Sequence, residues 1–179
     1  MTKKNQKIRN ATACKSGNLT FKSQLEKSVY NTLVEQGFNP MYEFVTYELW
    51  NGFIPLTPFY DKETSTHQDK RIEEGDTIKS KILVLKSAKV TGIRYTPDFY
   101  FRYGELDVYI EAKGIENDVF YIKKKLFRKY LDEKFIKTHQ HSIYFEIYTK
   151  KQLLQAIEII KEYEQSLSKN KTQSAMSTS

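Results

Sequence analysis

Cysteine occurs once in these 179 residues, at Cys14. That excludes an intrachain disulfide and any cluster of thiolate metal ligands, and it suits a reducing compartment. No stretch approaches the roughly 18 consecutive apolar residues of a membrane-spanning helix, and residues 1–15 contain no apolar signal segment. The expectation is a cytoplasmic protein with no membrane partner. The few glycines form neither a phosphate-cradling loop nor a dinucleotide fingerprint, so no nucleotide cofactor is expected. The three histidines, His67, His139 and His141, lack the companions of a zinc motif. Nothing supports a serine or cysteine hydrolase, and no internal repeat is present.

Positive charge is in surplus. Lysine and arginine number 29 against 22 acidic residues, a formal charge of +7. A polyanion such as nucleic acid is a natural partner for such a chain, although charge alone assigns none.

Patterning divides the chain into a basic arm at 1–19 (Lys3, Lys4, Lys7, Arg9, Lys15), one domain at 20–168, and a polar tail at 169–179 expected to be disordered. Phe21, Leu25, Val29 and Leu33 recur every fourth residue and predict a helix over about 20–36, stopped at Gly37. Residues 42–49 read as a strand. The interval 51–80 reads as a long loop insertion with a mixed charge block, and order resumes with a strand at 81–90. Two strand-like runs, 94–103 and 105–113, meet at Gly104 and Glu105 and predict a hairpin. A helix over 117–134 and a strand over 142–148 follow. Thr149 with Gln152 matches a capping box and opens a last helix. The fold class is α/β, in the mixed α+β sense: a central mixed sheet flanked by helices.

Chemistry concentrates in the hairpin. In its second arm Leu106, Val108, Ile110 and Ala112 alternate with Asp107, Tyr109, Glu111 and Lys113, so the second set shares a face opposite the apolar one. With a two-residue turn, Tyr103 pairs with Leu106, Arg102 with Asp107, and Asp98 stands opposite Glu111. Like charges placed opposite each other repel, and a divalent cation between the two carboxylates would justify the pairing. Lys113 projects from the same face, where it can orient or deprotonate a water and neutralise a phosphoryl transition state.

The run Tyr95, Thr96, Pro97, Asp98, Phe99 and the later Glu111, Ala112, Lys113, Gly114 resemble the signature of the PD-(D/E)XK nuclease superfamily. Phe120 to Phe127, with Lys123, Lys124 and Lys125 inside it, is similar to a run in small phage-encoded members of that superfamily. The likeness covers about residues 20–148 without the long loop. It implies a restriction-endonuclease-like core, α-β-β-β-α-β, here with an extra strand or loop insertion and a C-terminal helix. It also implies Mg²⁺, with Mn²⁺ able to substitute, held by Asp98, Glu111 and a first-helix glutamate whose matching position is Glu26. Lys113 would be the catalytic lysine. DNA is the implied substrate, cut to leave a 5′-phosphate, in a phage setting and with branched junctions among the candidate targets.

Lys123, Lys125, Arg128 and Lys129 are the candidate DNA contacts on the second helix. A homodimer would match the symmetry of cutting two strands. Competing readings are a restriction-type or transposon-type nuclease subunit, a catalytically silent nucleic-acid-binding protein of DNA replication or packaging, and a structural module that binds no polyanion.

Overall fold

The computed structural model describes residues 13–68, 77–114 and 118–176. Lys3, Lys4, Lys7 and Arg9 of the expected arm, the charged positions 69–76 and the side chain of His67 lie outside the described residues. The elements in order are β1 (Cys14–Ser16), β2 (Leu19–Phe21), α1 (Gln24–Glu35), β3 (Met41–Tyr42), β4 (Tyr47–Trp50), β5 (Tyr60–Gln68), β6 (Thr77–Leu85), β7 (Ile93–Tyr95), β8 (Phe99–Tyr103), β9 (Leu106–Ala112), α2 (Asp118–Thr138), β10 (Ser142–Ile147) and α3 (Lys150–Met176). Two compact units result: Met1–Leu49 with Arg94–Ser179, and Trp50–Ile93.

The larger unit is mixed α+β, built on a four-stranded sheet in the order β10-β9-β8-β3. The hairpin forms in the expected register, with Tyr103 opposite Leu106 and Arg102 opposite Asp107. Gly104 sits at φ +57 in its turn, and a Cβ there would run into the Glu164 carboxylate of α3. The positive φ is what calls for glycine here, since the Glu164 side chain could swing away from a Cβ. The chain then crosses over through α2 and returns as β10, parallel to β9, with Ser142 beside Asp107 and Ile147 beside Ala112.

Both faces of this sheet are covered. On one, Phe99, Phe101, Leu106, Val108 and Ile110 pack with Val29 and Leu33 of α1 and with Leu153, Ala156, Ile157 and Ile160 of α3. On the other, Tyr95 and Tyr109 pack with Phe120, Phe127 and Leu131 of α2. The face expected to contrast functional with apolar residues is therefore largely a second, aromatic core. Tyr109 is 1% exposed, and Asp107 and Glu111 are 5% exposed.

Several boundaries differ from the sequence expectations. Helix α1 begins at Gln24 with Ser23 as its cap, because Phe21 belongs to the β1–β2 hairpin. The strand expected over 42–49 is broken between β3 and β4, where Glu43 takes a left-handed φ of 45°. Within the expected 51–80 loop, positions 60–68 and 77–80 are strand: β5 and β6 pair from Tyr60 opposite Leu85 to Gln68 opposite Thr77. This hairpin belongs to the smaller unit. At the end of the expected arm β1 pairs with β2, of which only Leu19 belongs to the arm, and α3 continues into the expected disordered tail as far as Met176. The capping box at the start of α3 forms as read: Thr149 N–H donates to Gln152 Oε1 at 3.0 Å, and Gln152 N–H donates to Thr149 Oγ1 at 3.3 Å.

Candidate active site

Asp98 immediately precedes β8, and the ladder that pairs Phe99 with Ile110 brings it level with Glu111 on β9. The aspartate is 9% exposed and the glutamate 5%. Ala112 N–H donates to Asp98 Oδ2 at 2.8 Å. The other oxygen, Oδ1, accepts no hydrogen bond among the described residues. Burial is the main cause that pushes the Asp98 carboxyl up to about 8, with the Glu111 charge next and that of Glu26 further behind. The Ala112 N–H and Lys113 oppose the rise without cancelling it. Without a cation, Asp98 therefore holds a proton at neutral pH.

Glu111 is anchored at both oxygens. Tyr95 donates its hydroxyl to Oε2 at 2.7 Å, and Lys113 donates Nζ to Oε1 at 3.0 Å. The Tyr95 and Tyr144 hydroxyls lie 3.0 Å apart. Burial raises the pKa of both phenols, so both stay protonated and able to donate. The Lys113 ammonium also lies 4.1 Å above the Phe120 ring, a cation–π contact that holds it against α2.

Glu26 has a role that was readable in the sequence and was missed. Ser23 and Glu26 form a Ser-x-x-Glu cap at the start of α1. The Ser23 hydroxyl donates to Glu26 Oε1 at 2.8 Å, while Lys22 N–H at 3.0 Å and Tyr42 OH at 2.6 Å donate to Oε2. The side chain is buried, its charge is felt at Asp98, and both of its oxygens accept hydrogen bonds in this cap.

A cleft of about 340 Å³ opens beside the pair, lined by Lys22, Glu43, Arg94, Tyr95, Thr96, Glu111, Lys113, Val119, Phe120 and Lys123. Among known proteins, the chain matches no family model, no curated protein and no solved structure. The ladder sets Asp98 level with Glu111, and Glu111, Lys113 and Lys123 line the cleft, whereas Asp98, Glu26, Lys125, Arg128 and Lys129 do not. Arg94 and Glu43 escaped sequence reasoning. Arg94 lay inside a run read only for strand propensity. The cleft position of Glu43 depends on its left-handed backbone, which is held by a 2.9 Å bond from its N–H to the Asp98 carbonyl.

Among the described residues, no group of three or more His, Cys, Asp or Glu side chains gathers closely enough to cage a metal ion. A pair of carboxylates is nevertheless a fitting donor set for Mg²⁺, which keeps several waters and is commonly held by one or two carboxylates and substrate phosphate. The open Oδ1 of Asp98, and the burial and Glu111 charge that raise its pKa, are what such an ion would meet and offset.

Proposed function

We propose that this chain is a Mg²⁺-dependent DNA endonuclease with a restriction-endonuclease-like core of the PD-(D/E)XK type. The observation that carries the reading is the buried pairing of Asp98 with Glu111 beside a cleft that also receives Lys113. In the metal-free chain that pairing is tolerated by a proton on Asp98 and the Lys113 ammonium beside Glu111, and a divalent cation would replace that proton and let both carboxylates ionise.

Asp98 and Glu111 would hold the ion, which when bound polarises a phosphoryl oxygen and acidifies a water. Lys113, fixed between Glu111 and the Phe120 ring, stands where its ammonium can orient the attacking water and neutralise charge building on the phosphate. Tyr95 keeps Glu111 in place from behind. Glu26, hydrogen-bonded at both oxygens as Glu111 is, sends its charge toward Asp98 and would be the third carboxylate at the ion.

The test is cleavage of matched linear, nicked, flap and four-way-junction DNAs with Mg²⁺, Mn²⁺ or EDTA, alongside Asp98→Ala. Metal-dependent cutting that disappears in the variant supports the assignment. Preference for the junction would make the target branched DNA, as expected of a phage resolvase. Tight binding without cutting would replace this reading by the catalytically silent nucleic-acid-binding one.

A further inference from the structure

The cleft carries four cationic side chains, Lys22, Arg94, Lys113 and Lys123, against two acids, Glu43 and Glu111. Two of the four cations are occupied. Lys22 is paired with Glu43, and Lys113 with Glu111. Arg94, on β7, and Lys123, on α2, have no hydrogen-bond or ion-pair partner among the described residues. Their charges are therefore uncompensated where they face the cleft.

Most other basic groups of α2 are engaged elsewhere. Lys124 pairs with Glu146 at 3.0 Å, Lys134 with Asp107 at 2.6 Å and Lys129 with Glu133 at 3.5 Å, while Lys125 lies 4.2 Å over the Tyr121 ring. Arg128 is exposed but does not line the cleft.

We propose that Arg94 and Lys123 bind the backbone phosphates of duplex DNA next to the one presented to Lys113, so that the strand runs through the cleft and not along the outer face of α2. An arginine fork grips two phosphate oxygens and fixes orientation, while a lysine supplies a mobile point charge; one of each on separate elements sets both position and direction. The identity of the middle phosphate rests on the nuclease reading given above. The two flanking contacts do not depend on catalysis and can be measured without it.

The experiment is equilibrium binding of a short fluorescent duplex in EDTA over a range of salt concentrations. Each lost phosphate contact lowers the slope of log K against log salt by about 0.9. The Arg94→Gln/Lys123→Gln protein is expected to show a slope shallower by about 2. Lys125→Gln/Lys129→Gln should keep the wild-type slope, and the charge-keeping Arg94→Lys/Lys123→Arg should keep it too, which separates lost charge from misfolding. Slope losses confined to the Lys125/Lys129 variant, or equal in both neutralised proteins, would overturn the proposal. So would an absence of salt-dependent binding by the wild type. Absent metal-dependent cleavage with the expected slopes intact would strike only the nuclease reading.

Discussion

Replacing Asp98 with asparagine should stabilise the metal-free protein while abolishing the proposed metal-dependent cleavage, and the gain should grow with pH. Burial and the charges of Glu111 and Glu26 raise the Asp98 carboxyl from an ordinary 3.8 to about 8 in the folded chain. A raised folded value means that the aspartate's contribution is most favourable below the unfolded pKa and is lost as pH climbs through the folded one. At about 1.4 kcal/mol for each pKa step, ionising Asp98 in the folded chain above pH 8 costs on the order of 5 kcal/mol, an upper bound because packing and water relax around the charge. Asparagine is nearly isosteric, its oxygen can accept the Ala112 N–H, and it never ionises. If even about 2 kcal/mol survives relaxation, a chain of this size gains roughly 4–8 °C in Tm. Thermal unfolding in EDTA at pH 5, 7 and 9 checks it: the difference between variant and wild type should rise from pH 5 to 8 and then level off. Mg²⁺ should shrink the difference by stabilising only the wild type. A difference that is constant across this range would refute the argument, since Asp98 would then titrate no differently in the folded chain.

Three further substitutions separate catalysis, positioning and packing. Lys113→Met should lower kcat by about 100-fold or more with KM within a few-fold if, as proposed, its ammonium acts on the transition state more than on binding; equal loss in both would make it a binding residue. Tyr95→Phe removes the hydroxyl between Glu111 and Tyr144. It should cost about 1 kcal/mol of stability and raise the Mg²⁺ concentration needed for half-maximal cleavage roughly tenfold, as supporting contacts of ligands generally do; titration of the metal at fixed DNA reads this directly. Lys134→Met leaves Asp107, 5% exposed, without its ion-pair partner. A loss of about 3 kcal/mol is expected in urea unfolding, together with slower cleavage by the folded fraction because α2 and Phe120 lose a fastening; the added Asp107→Leu change should recover much of the stability.

The hairpin was legible because its information is local. Gly104 marks the turn, and alternation then dictates which residue of 98–103 faces which residue of 106–111, so the Asp98–Glu111 pairing follows from counting. The start of α1 was not, since Phe21 lies four residues before Leu25 and extends the helical stripe by coincidence while actually ending a strand. That shift concealed Ser23 as the cap and hence the reason Glu26 is buried. The β5–β6 hairpin escaped because positions 60–68 carry charged and hydroxyl side chains without apolar alternation; backbone pairing with β6 defines the strand. The site's outer wall escaped for a tertiary reason. Which of many lysines and arginines line a cleft depends on the crossover that sets α2 against the sheet.

The distribution of partners across the basic residues bears on the proposed chemistry. A chain with a surplus of seven positive charges can satisfy non-specific attraction to DNA almost anywhere on its surface. Here Lys134 and Lys124 are spent on the sheet's acids, Asp107 and Glu146, and both ion pairs fasten α2 onto the aromatic side of the sheet. Fastening α2 fixes Phe120, and Phe120 in turn supports the Lys113 ammonium. Rigid support matters because a general base or charge stabiliser displaced by about 1 Å can lose on the order of 100-fold in rate. On this argument α2 contributes to the site chiefly through the residues that face inward, Phe120, Lys123, Lys124 and Lys134, and its most exposed lysines contribute least.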